Sequence, residues 1–244
     1  MAAATKVAAL VLTLRILVVA FPEEEHLWTI AIAVIAIVSL AVGNLAALAQ
    51  RDVKRLLAYS SVSHAGFMLI AVAANSELGG RALLYYLIPY GAMSIGSFAV
   101  IAARERELGV PVTLDNLGGM GWERPFLGVA MWVFMLGAMG MPLTGGLWGK
   151  VYVFSAAYEA GMWWLVVAGV IATAISLYYY LGVIKALYMR PVAVLRPVVA
   201  GGSPPRDSLL QSAVFLSLAV TVGSFFAVQP LIELARDAAT SLPF

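Results

Sequence analysis

The sequence predicts an all-α polytopic membrane protein, and three observations carry that prediction. Of the 244 residues, 62% are hydrophobic and only 11% charged, with a mean hydropathy of +0.93. Soluble domains run near a quarter charged, so these charges are too few to clothe a water-soluble surface. Apolar runs recur at the length of a membrane span, giving roughly seven helices at about 20 residues each. Most Lys and Arg residues then fall on one side of those runs. The absence of cysteine excludes thiolate metal sites, iron–sulfur ligation and cysteine nucleophiles from the chain. A net charge of +2 is too small to imply a nucleic-acid partner, and the lipid bilayer is the partner that composition does imply.

The expected spans are 3–21, 28–49, 53–74, 82–103, 126–158, 162–189 and 208–232, separated by polar or Pro/Gly-rich breaks. The first holds Lys6 and Arg15 and lacks a small-residue cleavage pattern before Pro22, so it reads as a span and not as a signal peptide. The acidic Glu23-Glu24-Glu25 turn leads to the second, and the basic Arg51 to Arg55 segment to the third. The fifth run is too long. As one helix, 126–158 would extend about 50 Å, against a hydrocarbon core of about 30 Å. Its middle reads Gly140-Met141-Pro142-Leu143-Thr144-Gly145-Gly146, where Pro142 removes a backbone donor, so a break near 140–146 is expected. Trp28, Trp163 and Trp164 read as interfacial belts. Gly118 to Gly121 reads as a turn and Gly201 to Pro205 as a flexible linker before the last span.

Loop charge sets the expected orientation, because Lys and Arg concentrate on the cytoplasmic side. If 126–158 is a single discontinuous span, the basic 50–55, 104–125 and 185–207 connections all share one face. A two-span hairpin there would send Lys185, Arg190, Arg196 and Arg206 to the other face. The discontinuous reading therefore places those three connections in the cytoplasm and the C-terminus on the outer side.

Ionisable groups inside spans are costly and mark function by default. Lys150 follows the Pro/Gly break and lies too deep to snorkel comfortably. Beside a helix break whose freed carbonyls bind water or ions, such a lysine is suited to a proton relay; the alternative is a lysine tilted to the outer interface. His64 lies about 15 Å into its span, after Ser60, Ser61 and Ser63, hydroxyls that would be wasted against lipid. Imidazole titrates near neutrality and passes a proton between its two nitrogens; a neutral packing histidine is the competing reading. Lys6 is a cytoplasmic-end anchor if residue 1 begins the protein, and an intramembrane lysine if more chain precedes it. Topology alone explains Lys54 and Arg55. Glu159 reads as a solvated cap, and Tyr85-Tyr86 and Tyr178-Tyr179-Tyr180 as packing and interhelical hydrogen bonds.

The stretch Gly43-Asn44-Leu45-Ala46-Ala47-Leu48-Ala49-Gln50, followed by Asp52-Val53-Lys54-Arg55-Leu56-Leu57-Ala58-Tyr59-Ser60-Ser61-Val62-Ser63-His64-Ala65-Gly66, resembles the signature of the antiporter-like membrane subunits of respiratory complex I. That family also includes Mrp-type cation/proton antiporters and membrane-bound hydrogenase subunits. Ala4-Thr5-Lys6-Val7-Ala8, the Met141 to Lys150 break and Ser176-Leu177-Tyr178-Tyr179-Tyr180-Leu181 resemble its N-type branch, in which the position of Lys150 is lysine and not glutamate. The resemblance implies a fold of about fourteen helices in two inverted repeats, each with one discontinuous helix. This chain would supply the second repeat, whether as a fragment, a truncated gene model or half of a split subunit. It further implies a proton path through Lys6, His64 and Lys150, with Lys54, Tyr59, Ser60, Ser61 and Pro142 in support. The implied protein is a proton-translocating subunit of a bacterial plasma-membrane NADH:quinone oxidoreductase, a translocase. NADH, FMN, iron–sulfur clusters and quinone would be bound elsewhere in the complex, and neighbouring antiporter-like and small membrane subunits would be the partners. The alternatives are an Mrp-type antiporter subunit and a half-subunit that only scaffolds its neighbours.

Overall fold

A computed structural model describes residues 4–190 and 208–239; Arg196, Arg206 and the Gly201 to Pro205 linker lie outside the described residues. Every regular element among the described residues is helical: α1 (Ala4–Ala20), α2 (Glu25–Leu48), α3 (Val53–Ala73), α4 (Glu77–Leu108), α5 (Met120–Glu123), α6 (Pro125–Met139), α7 (Gly145–Glu159), α8 (Trp163–Met189), α9 (Ser208–Phe226) and α10 (Val228–Ala239). By length and composition α2, α3, α4, α8 and α9 are long and apolar enough to cross a membrane. Alone, α1 has 17 residues and α6 and α7 have 15 each.

Side-chain caps start the central helices. Asp52 accepts a bond from the Arg55 amide (2.9 Å) at α3, and Ser76 one from the Gly79 amide (3.0 Å) at α4, each relieving an orphaned donor of the first turn. α4 is longer than the expected 82–103. The charged Ala103 to Leu108 tail, polar enough to read as loop, stays helical until Gly109 adopts φ +69° and ends it. The expected 208–232 span is also corrected: α9 stops at Phe226 and a separate helix begins at Val228. Pro230 cannot donate to a continuing helix but is tolerated in the first turn of a new one. α10 then lies on α4 with Ala235 and Ala239 buried and Glu233, Arg236 and Asp237 exposed.

The bundle is built around α3. Of its most apolar stretch 72% is buried, against 33% for α2 and α8 and 22% for α9. The outer helices therefore turn broad apolar faces outward, as with Leu27, Val34, Val38 and Leu45 on α2 and Val170, Ile171 and Leu181 on α8. α3 packs on α2, α4, α7 and α8. At one end the 109–119 loop clips onto the start of α3 through Val53 N to Val112 O (3.0 Å) and Leu114 N to Arg51 O (2.9 Å). The far end of α8 reaches the same region, where the Trp122 indole donates to Tyr188 O (3.1 Å) and Arg190 pairs with Asp115.

Between α6 and α7 the helix breaks. α6 begins beside the basic end at Arg124, and α7 finishes one short turn before α8 begins, at the opposite end of that helix. Gly140 closes α6 at φ +84°, a conformation an L side chain rarely takes, and Leu143 sits at φ +71°. Opposite the break, Pro89 within α4 leaves the Tyr85 carbonyl without its intrahelical donor.

Candidate functional site

The polar groups of the bundle converge on the inner face of α3. Ser60 and His64 lie one turn apart on it and are both buried. Each His64 ring nitrogen is bonded to a tyrosine hydroxyl: Nδ1 to Tyr86 of α4 at 2.8 Å and Nε2 to Tyr180 of α8 at 3.0 Å. The Tyr180 hydroxyl is also bonded to Ser60 Oγ. Tyr90 completes the enclosure, its ring centroid 5.2 Å from that of His64. A histidine held on both nitrogens is fixed in orientation and connected on both sides.

Lys6 reaches this face from α1. Its Nζ donates to Ser61 O and Ser61 Oγ, both at 2.7 Å, and Ser61 Oγ donates to Ala58 O at 2.6 Å. Lys150, 5% exposed, approaches from α7. Its Nζ donates to Ala138 O (3.1 Å) and Met139 O (2.8 Å), the last carbonyls of α6. The break makes this possible, because it presents carbonyls with no helical partner, at the negative end of the α6 dipole, to the first turns of α7. Nζ also stands 4.9 Å from the Phe67 ring centroid, a cation–π distance, and that centroid lies 6.3 Å from the centroid of the His64 ring. Gly149 must be glycine for the same arrangement: a Cβ there would meet Tyr86 Cδ2 at 2.4 Å.

A cavity of about 20 Å³ opens beside His64, walled by Ser60, Ser61, Ser94, Ser97, Tyr90 and Tyr180 among others. That is room for about one water, with enough polar partners to hold it. A second polar knot lies beside it in the same turn of α3. Asn44 donates to Ser63 Oγ (2.9 Å) and accepts from the Tyr179 hydroxyl (3.0 Å), tying α2, α3 and α8 together.

The expected site residues thus separate. Ser60, Ser61 and His64 line one cavity and Lys6 is joined to it through Ser61, whereas Lys150 is held by the α6 carbonyls and the Phe67 ring. Lys54 lies in the first turn of α3, at the basic end of the bundle, ion-paired with Glu105. Tyr59 is 38% exposed and faces away, and Pro142 is exposed in the break. The hydroxyls of Tyr86 and Tyr180, read from sequence as packing and interhelical hydrogen-bond groups, make such bonds, with His64 as their shared partner. Their spacing held a signal: Tyr86 and Tyr90 are four apart and share a face of α4. Among the described residues no group of three or more His, Asp and Glu side chains is placed to hold a metal ion.

The chain is similar to known proteins along most of its length. The family described as "NADH:quinone oxidoreductase/Mrp antiporter, TM" matches residues 1–176. The chain is 42% identical over 236 residues to NADH-quinone oxidoreductase subunit N of Salinibacter ruber, covering 93% of this chain and 46% of that protein. It is 40% identical over 239 residues to subunit N 2 of Roseiflexus castenholzii, covering 95% and 47%. It therefore spans about half the length of the curated relatives it matches. A chain of respiratory complex I from Thermus thermophilus with bound aureothin superposes with a TM-score of 0.69 at 34% identity, over 83% of this chain and 44% of that one. A chain of the Mrp complex from Dietzia sp. has the same fold, with a TM-score of 0.83 at 21% identity over 96% and 51%.

Proposed function

The chain belongs to the NADH:quinone oxidoreductase/Mrp antiporter membrane family, and we propose that it is the second inverted repeat of an antiporter-like subunit that translocates protons in a bacterial NADH:quinone oxidoreductase. The observation that carries this reading is the interior of α3: His64 bonded on both ring nitrogens, with Lys6 and Lys150 approaching from either side and bonded to no carboxylate among the described residues. Groups that gain and lose protons, two of them joined by hydroxyls and a water-sized cavity in an apolar bundle, support proton transfer better than static packing. The names of the curated relatives support the same assignment.

In this reading α6 and α7 form one discontinuous span, and with α1 they bring the count to roughly seven. The α3 start, the α4 end and the α8 end face the cytoplasm, and the C-terminus faces outward. Electron transfer from NADH through FMN and iron–sulfur clusters to quinone is the work of other subunits, and neighbouring membrane subunits are the partners. The path runs Lys6, His64, Lys150, with Lys150 nearest the exit of this half-channel.

The test is Lys150→Ala and Lys6→Ala in the full subunit within its assembled complex. Proton pumping is expected to fall in both, with quinone reduction falling in step where the two are tightly coupled. Normal pumping in both variants, with the complex assembled, overturns the relay. Sodium- or potassium-dependent proton exchange without NADH oxidation would select an Mrp-type subunit instead, a reading supported by the shared fold.

A further inference from the structure

A neutral imidazole has one N–H and one bare nitrogen, and a hydroxyl has a single proton to give. A histidine in a row of such hydroxyls, bonded on both nitrogens, therefore has only two consistent arrangements. The row is Ser60, Tyr180, His64, Tyr86, and its two ends differ. Ser60 and Tyr180 line the cavity that has room for water, whereas Tyr86 lies outside that lining, is fully buried, and bonds only His64 among the described residues.

If Nδ1–H donates to Tyr86, the Tyr86 proton is stranded in a dry site, a costly arrangement. If Tyr86 donates to Nδ1, then Nε2–H donates to Tyr180, Tyr180 can donate to Ser60, and the last proton has the cavity to face. Only the second polarity leaves no buried donor without an acceptor. We propose that Tyr86 and Tyr180 clamp His64 in the Nε2–H tautomer and are the proton-carrying stations on either side of it, Tyr86 the dry inner one and Tyr180 the outer one served by water.

The transfer balances in the direction of the proposed path, from the cavity to the Lys150 side, once the row has turned to the opposite polarity. Cavity water gives a proton to Ser60, Ser60 passes its own to Tyr180, and Tyr180 passes its own to Nε2. The imidazolium then releases the Nδ1 proton to Tyr86, and Tyr86 releases its own to a neutral amine on the Lys150 side. One proton enters and one leaves. The row is left in its resting Nε2–H polarity and must turn again before the next transfer.

The clamp stands on geometry alone; only its role as stations rests on the proton-path reading. Nitrogen-15 NMR of the full subunit in its complex, labelled at histidine and read as a difference against His64→Gln, is expected to show a neutral ring with Nε2 protonated and Nδ1 bare. Protonation at Nδ1, alone or together with Nε2, at pH 8 overturns the clamp. Tyr86→Phe keeps the ring on Gly149 and removes only the hydroxyl, and is expected to slow proton translocation on the order of tenfold to a hundredfold, as loss of a proton-transfer group does. Tyr180→Phe is expected to cost less, because cavity water can take the place of its hydroxyl. Equal losses, or a larger loss for Tyr180→Phe, overturn the inner and outer assignment. If Tyr86→Phe does not assemble, the tautomer decides. Unchanged translocation in His64→Gln together with the Nε2–H tautomer would refute the proton path and leave the clamp standing.

Discussion

At the basic end of the bundle Lys54, Arg104, Arg124 and Arg190 each meet a carboxylate, whereas Lys6 and Lys150, within the apolar helices, meet none among the described residues. Arg104, with its side chain 7% exposed, bonds Glu107 (3.3 Å) and Glu123 (3.0 Å), and Arg124 bonds Glu107 at 2.9 Å. Lys54 pairs with Glu105, and Arg190 with Asp115. The two lysines instead give their protons to backbone carbonyls and one serine hydroxyl. Under the proposed function, the difference separates charges that hold the fold from charges that can change. An ion pair resists loss of its proton, because the carboxylate would be left uncompensated. A carbonyl can accept from an ammonium and, more weakly, from a neutral amine, so the proton can leave without stranding an opposite charge.

The sharpest way to break this distinction is to replace one cation of each kind by a methionine. Lys150→Met removes a costly buried amine and fills the same space with apolar atoms. Proton translocation is expected to fall on the order of a hundredfold. Thermal melting of the purified complex should stay within about 1 kcal/mol of the parent, since lost bonds and relieved burial oppose one another. Melting lower by several kcal/mol with translocation retained would make Lys150 a clamp. Arg104→Met should do the reverse. Glu123 loses its only ion-pair partner among the described residues and Glu107 keeps only Arg124, so stability should drop by about 1–3 kcal/mol, with translocation per assembled complex unchanged.

The interior was partly legible in sequence, and the reasons are physical. His64 and the preceding serines stood out because hydroxyls and imidazole are conspicuous in an apolar run, and Lys150 because it follows a Pro/Gly break. Tyr59 was drawn in by proximity in the chain, yet one residue turns the helix by about 100°, which puts Tyr59 outside and Ser60 inside. The tyrosine partners of His64 lie 22 and 116 residues away in sequence. A tyrosine in an apolar helix does not announce where its hydroxyl points. Helix ends were least legible where charge and helix coexist, as in the tail of α4, which continues through Arg104, Glu105, Arg106 and Glu107.

A smaller effect sharpens the comparison from the exposed side. Lys54 is 46% exposed on its side chain and its pairing with Glu105 is open to solvent. Glu105→Gln is expected to change stability by less than about 1 kcal/mol and to leave translocation at its parental rate. A large loss of translocation there would move Lys54 from the structural charges to the working ones, and the division drawn above would fail.

The smallest effect concerns the break that delivers Lys150 to its carbonyls. Leu143 holds φ +71° with an exposed side chain, a conformation that costs a branched L residue roughly 1–2 kcal/mol and glycine almost nothing. Leu143→Gly relieves that strain, while glycine's extra freedom in the unfolded chain takes back part of the gain. The net is expected to be a stabilisation of about 0.5–1 kcal/mol, read by melting, with proton translocation unchanged. Lys150 is set by Gly140 and the last carbonyls of α6, and both stay in place. If translocation falls while stability rises, the strain at Leu143 is itself part of how the lysine is positioned, and the working charge depends on the backbone of the break as well as on its carbonyls.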